Sequence, residues 1–159
     1  VQLVTRGLVS IDAHPSVSVV GFGSPAIRGA DRVQIVKLET PVDWCALYGV
    51  EVADGVATLY KAVGDDYMSP RGGNYAPGTT VEAPDWDGGR AECGGGLHFS
   101  PRPKMALAFN REATRFVACP VALADMRAPC DSDQMPEKCK ARRTCGPVYE
   151  VDRDGERVA

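Results

Sequence analysis

The sequence predicts a mainly β fold of the α+β class, in which a short stacked β-repeat is capped by a small β-rich domain with one or two short helices. Three observations predict it. Residues 9–40 read in register as VSIDAHPS, VSVVGFGS, PAIRGADR and VQIVKLET, a repeat of eight residues. Alternation inside each unit is the period of a strand, and the trailing small or polar residues are turn formers. Asp54-Gly55 then parts two alternating runs as a two-residue hairpin turn does. Helical spacing is confined to two short places, around Trp44 and over residues 105–109.

The elements divide into a repeat (1–40), a junction (41–57), a β-rich domain (58–152) and a tail (153–159). In the repeat, Ile11, Val19, Ile27 and Ile35 share one slot of the unit, and Val9, Val17 and Val33 share another. A fixed period of this kind points to stacked rungs, as a small solenoid or a tight meander. His14 falls in a turn beside Pro15. Trp44, Leu47 and Tyr48 lie at helical spacing and are placed to cover the end of the stack. Residues 58–63 form a strand. Residues 64–92 carry too many glycines and prolines for a helix, with a short strand at 79–83. So long a connection inside a compact domain favours either function or disorder, and its aromatic and charged residues Tyr67, Arg71, Tyr75, Trp86 and Arg90 argue for an ordered loop near a site. Residues 115–123 form a strand that Pro120 marks as an edge or a bulge. Residues 140–152 give one or two last strands, broken at Gly146-Pro147.

The stretch from Cys93 to Phe109, CGGGLHFSPRPKMALAF, carries the densest signals. Gly94, Gly95 and Gly96 allow positive φ and a close backbone approach. Leu97-His98-Phe99 alternates as a short strand, with His98 on the opposite face from its neighbours. Ser100 and Pro101 suit a helix N-cap and first position, with the helix ending near Asn110.

Composition excludes some classes. With a net charge of −3 over 159 residues, a bulk basic surface for nucleic acid is not expected. No apolar run is long enough to cross a membrane as a helix, and no secretory leader is read at the N-terminus. A reducing, cytoplasmic setting is therefore expected for the six cysteines. Cys119, Cys130, Cys139 and Cys145 are the set that would hold a zinc ion, with Cys93 as a substitute ligand. They lack the paired C-x2-C spacing of a zinc knuckle.

The segments LYKAV, NYAPG, ECGGGLHFSPRPKMA, FVACPVALAD and CKARRTCGPVYEV together resemble an uncharacterised domain family of bacteriophage and prophage proteins. Members of that family carry a short valine-rich repeat ahead of the domain. The resemblance spans residues 9–152 and implies the cytoplasm of a host cell as the setting. A fainter resemblance is to the ADP-ribosyltransferase fold. Residues 59–62 would match its first strand, with Lys61 where that pattern has Arg or His. Residues 94–100 would match its second strand, and Glu150 is the best-placed carboxylate for the catalytic position. No Ser-Thr-Ser motif is present.

Three functional readings follow. In the first, the chain is a non-enzymatic domain of phage or mobile-element context that binds a protein partner, with residues 64–92 as the contact surface and Tyr75, Trp86 and Arg90 among its contacts. In the second, it is an enzyme acting on a nucleotide-like ligand. Lys61 and Arg90 would meet phosphate as cations, and the N–H groups of Gly94, Gly95 and Gly96 would add an anion nest. His98 would be the acid–base group. This reading requires Lys61 and His98 to share one cleft. In the third, the cysteine set makes a zinc-stabilised module. A Cys93–His98 nucleophile pair is a further combination.

Overall fold

The computed structural model describes residues 1–6, 9–22, 25–91, 94–129 and 137–158. The chain is mainly β with two short helices, as the sequence predicts. The repeat region forms five strands: β1 (Gln2–Arg6), β2 (Ser10–Asp12), β3 (Ser18–Phe22), β4 (Ala26–Arg28) and β5 (Arg32–Val36). Odd strands make one parallel sheet in the order β1-β3-β5, and β2 pairs with β4 in another. The chain thus winds between two faces. Parallel pairing excludes the meander, whose neighbours run antiparallel.

One unit of eight is therefore half a coil, and the register corrects the slot assignment. Ile11 stacks on Ile27, but Val19 stacks on Leu3 and Val33, while Ile35 stacks on Gly21. The first coil advances 16 residues, from Gln2 to Ser18, and the second only 14, from Ser18 to Arg32. The difference lies in the turns. Gly29 takes φ +80°, and a Cβ there would lie 2.2 Å from the Ala13 carbonyl oxygen, so the β4–β5 connection hugs the one beneath it.

The junction helix α1 (Pro41–Tyr48) has a full capping box. Thr40 accepts from the Asp43 N–H, Asp43 accepts from the Thr40 N–H, and Pro41 opens the first turn. Gly49 closes it in the left-handed conformation. Trp44 is fully buried and its ring centroid lies 5.2 Å from that of Tyr48. Leu38, Trp44 and Tyr48 join the main core, with Phe22 of β3 and Leu47 packed against it.

The main sheet runs β12-β9-β7-β6, from β6 (Val52–Ala53), β7 (Val56–Val63), β9 (Arg115–Ala122) and β12 (Tyr149–Val151). Asp54 and Gly55 both take positive φ in the β6–β7 hairpin turn, as an I′ turn requires. β9 is an interior strand, which corrects the edge expected from Pro120. β12 pairs only with residues 116–118, so Pro120 lies past its end, where no N–H is asked for. A second sheet runs β10-β11-β8, from β8 (Leu97–Phe99), β10 (Met126–Arg127) and β11 (Cys139–Ala141). The second helix, α2 (Pro103–Ala106), starts later and is shorter than predicted. Ser100 does not cap it. Ser100 is buried and pairs with Tyr60 of β7. The strand expected at 79–83 is reduced to an isolated bridge between Glu82 and Arg143.

Trp44 ties the junction to the core, so Trp44→Ala is expected to cost about 3–5 kcal/mol. Equilibrium urea unfolding measures it.

Candidate functional site

The four-stranded and three-stranded sheets meet where Tyr60 and Ser100 exchange two backbone hydrogen bonds of 2.9 Å. Beyond that pair β7 and β8 part, and the segment from Ser69 to Tyr75 covers the gap. The open cleft there has a volume of about 710 Å³, within the usual range for small-ligand sites. Its wall includes Lys61, Arg71, Tyr75, His98, Phe109 and Lys138.

Lys61 is the unusual group. On β7 it stands between Leu59 and Val63, both fully buried, in the row that faces the core. Its Nζ donates to the His98 carbonyl oxygen at 2.8 Å. It lies 5.0 Å from the centroid of the Tyr75 ring and 5.6 Å from that of Phe99. Among the described residues no carboxylate pairs with it. Burial pulls its ammonium down to about 8, and the Arg71 and Lys138 cations push the same way. A buried cation with rings and one carbonyl for company is costly to keep, and such perturbed groups gather at functional sites.

His98 lines the same cavity. Leu97 and Phe99 face the core while His98 turns away from them, as the alternation predicts. Its Nε2 is buried and has no hydrogen-bond partner among the described residues. Burial lowers its pKa to about 4, with Lys138, Lys61, Arg71 and Lys140 acting in the same direction. His98 is therefore a neutral imidazole at physiological pH. Lys61 and His98 both line this cavity.

The other sequence-predicted residues are distributed differently. Tyr75 is buried in the cavity wall, edge-on to Phe99 at 6.3 Å. Arg90 does not face the cavity. Its guanidinium donates to the carbonyl oxygens of Ala128, Leu38 and Pro129, joining three segments of backbone. Trp86 packs against the core, with Arg127 at 5.4 Å and Lys140 at 6.0 Å from its ring centroid. Glu150 is engaged elsewhere, accepting from Tyr67 at 2.7 Å and from Arg115 at 2.9 Å. It is not among the residues that line the cavity.

The glycine run is not an open anion nest. Gly95 N–H donates to Asp87 and Gly96 N–H to Asp85, while Gly94 N–H donates to the Ala91 carbonyl. The protein's own carboxylates already occupy the donors. The glycines are needed because the segment from Asp85 to Asp87 lies across them. A Cβ on Gly95 would sit 1.7 Å from the Asp85 carbonyl oxygen, and one on Gly96 would sit 3.0 Å from the Trp86 ring. The same segment sets an exposed carboxylate against a buried lysine. Lys140, almost fully buried, donates to Asp87 at 2.9 Å and holds that carboxyl down at about 2.

The cysteine set does not assemble among the described residues. Cys119 and Cys139 are fully buried in the core, Cys145 is exposed, and Cys130 and Cys93 lie outside the described residues. No group of three His, Cys, Asp or Glu side chains placed to hold a metal occurs among the described residues. Burial pushes the Cys119 thiol up to about 12 and Cys139 higher still, so both behave as apolar packing groups. The Cys93–His98 pair likewise involves a residue outside the described set. No helix among the described residues is long and apolar enough to cross a membrane.

Arg71 is one of the aromatic and charged residues that mark 64–92 as an ordered loop near a site, whereas the sequence does not single out Lys138 or Asn110. Their signal is three-dimensional: three segments distant in sequence converge on one cavity.

No family model matches the chain, and no solved structure matches it. A stretch of 71 residues is 37% identical to part of the bifunctional protein HldE of Desulfatibacillum aliphaticivorans. The match takes in 44% of this chain and 14% of that protein.

Two outcomes are expected. Gly95→Ala forces a backbone collision and should destabilise the fold by at least about 2 kcal/mol, read by chemical denaturation. His98 is held neutral down to about 4, whereas the unfolded chain protonates near 6.5. Its share of stability is thus complete above pH 6.5 and is lost as pH falls from 6.5 to about 4. His98→Leu should remove that share, on the order of 1–3 kcal/mol, from a pH series of thermal melts.

Proposed function

We propose that the chain is a small-ligand protein whose cavity takes an organic anion of nucleotide-fragment size. This is the second of the readings drawn from the sequence. The observation that carries it is the convergence of Lys61 and His98, 37 positions apart, on one cavity whose wall also holds Arg71 and Lys138. The cations draw in a phosphate or carboxylate, and the rings of Tyr75 and Phe109 offer apolar surface for the remainder. A neutral imidazole and a lysine of lowered pKa in one cavity wall offer candidate acid–base groups. The fainter resemblance to the ADP-ribosyltransferase fold agrees with a nucleotide-like ligand. Glu150 lies outside the cavity wall, so the reading is of a ligand site with its own polar groups and not of that family's catalytic set.

A protein-partner reading retains one observation in its favour. Leu3, Val4, Val33 and Ile35 of the β1-β3-β5 sheet are exposed, apolar surface that would suit a partner contact on the coil sheet beside the one read for residues 64–92. The phage context rests on the sequence resemblance, and a zinc module would need Cys93 or Cys130.

Isothermal titration with ADP-ribose, AMP and inorganic pyrophosphate tests the ligand reading. At least one should bind, more weakly as salt rises, and Lys61→Met or Arg71→Ala should weaken it by about tenfold, near 1.4 kcal/mol. Absence of binding by all three, or binding indifferent to both substitutions, would overturn it. The same Lys61→Met protein should be more stable than the parent at pH 7 by about 2 kcal/mol. The cost of the buried ammonium is complete below pH 8 and is relieved as pH rises from about 8 towards 10.5. The advantage of the variant should shrink across that window.

A further inference from the structure

We infer that Lys61 is a nucleophile, and that the anion its cavity takes carries an aldehyde or ketone with which Lys61 condenses to form an imine. The inference rests on the reading of the cavity as an anion site and names the substrate class for it. Three features of geometry carry it. Lys61 lines a cavity large enough for a small organic molecule. It is held by one carbonyl oxygen at 2.8 Å, among the Tyr75 and Phe99 rings. Among the described residues it has no carboxylate partner that would fix its proton. A lysine whose work was to anchor an anion as a point charge gains from being fully ionised. This one sits where ionisation is disfavoured, as nucleophilic lysines do. Arg71 and Lys138, both in the cavity wall, supply the permanent charge that holds the anionic end.

The chemistry closes without any further reagent. The lone pair of the uncharged Nζ bonds to the carbonyl carbon, and the π pair of the carbonyl moves to its oxygen. One proton passes from nitrogen to that oxygen. A second proton, relayed by water, lets the oxygen leave as water while the nitrogen lone pair closes the C=N bond, and the proton left on the iminium nitrogen returns to that relay, so both amine protons end in the released water. Nothing is oxidised or reduced, one water is released, and the step is reversible. Tyr75 and Phe99 keep the nitrogen out of bulk water, which favours the uncharged amine before attack.

Pyridoxal 5′-phosphate is a suitable probe because it carries an aldehyde, an aromatic ring and a phosphate. Pyridoxine 5′-phosphate has an alcohol in place of the aldehyde and is its matched control. The full chain is incubated with limiting pyridoxal 5′-phosphate and reduced with borohydride, and the label is mapped over the five lysines. The expected label falls on Lys61 by about tenfold or more over any other lysine, since each unit of pKa is a tenfold change in uncharged amine. Its yield should rise with pH to a midpoint near 8. Lys61→Arg should lose the label, because a guanidinium does not condense with the aldehyde. A label spread evenly, or concentrated on another lysine, overturns the inference, and this map needs only the parent protein. If pyridoxine 5′-phosphate raises the melting temperature and Arg71→Ala abolishes that rise, yet Lys61 stays unlabelled, the imine falls and the anion site stands. If neither compound acts on the parent protein, both fall.

Discussion

Tyr60 and Ser100 exchange a pair of backbone hydrogen bonds, and the cavity follows from where that pair falls. β6 covers one end of the free edge of β7, at Val56 and Ala57, and β8 touches it again only at Tyr60. Had β8 continued along β7, Lys61 would lie under a continuous sheet, closed off from any ligand. Had it made no contact, the His98 carbonyl would be out of reach. A single bridging pair holds the two sheets together and lets them separate one residue later. Lys61 is that next residue, so its side chain leaves the core at the seam and finds the His98 carbonyl waiting.

Locally encoded features were legible in the sequence. Asp54-Gly55 makes its turn wherever the two strands lie, α1 carries its own cap at both ends, and His98 alternates with its neighbours by the geometry of a strand alone. Features set by distant partners were not. The glycine run reads as an anion nest until Asp85 and Asp87 are seen on its N–H groups. Ser100 reads as a helix cap until Tyr60 takes its backbone. Arg90 reads as a phosphate contact until three carbonyl groups claim its guanidinium. In each case the local chemistry was correctly recognised, since these are an anion nest, a polar small residue and a cation. What was missing was the identity of the group that satisfies it, which comes from the protein itself.

The two charged lysines near the site show how differently one side chain can be used. Lys140 is more deeply buried than Lys61, yet Asp87 meets it at 2.9 Å, and the pair braces the strap over the glycine run. Lys61 has no such counterion among the described residues. A fold that places an aspartate against one buried lysine shows that burial alone does not deny a lysine its partner. The contrast makes the setting of Lys61 a property of its site and not of the protein interior in general.

The unequal coils give the N-terminal winding a polarity. On the β1 side the turn measures 16 residues, and Leu3 lies on Val19. On the β5 side the turn has shed two residues, and Gly21 has become the notch that receives Ile35 and Pro25. That tapered side leads directly through Leu38 into the core. The winding is therefore joined to the core at its tapered side, while β1 is the edge strand of its sheet at the other.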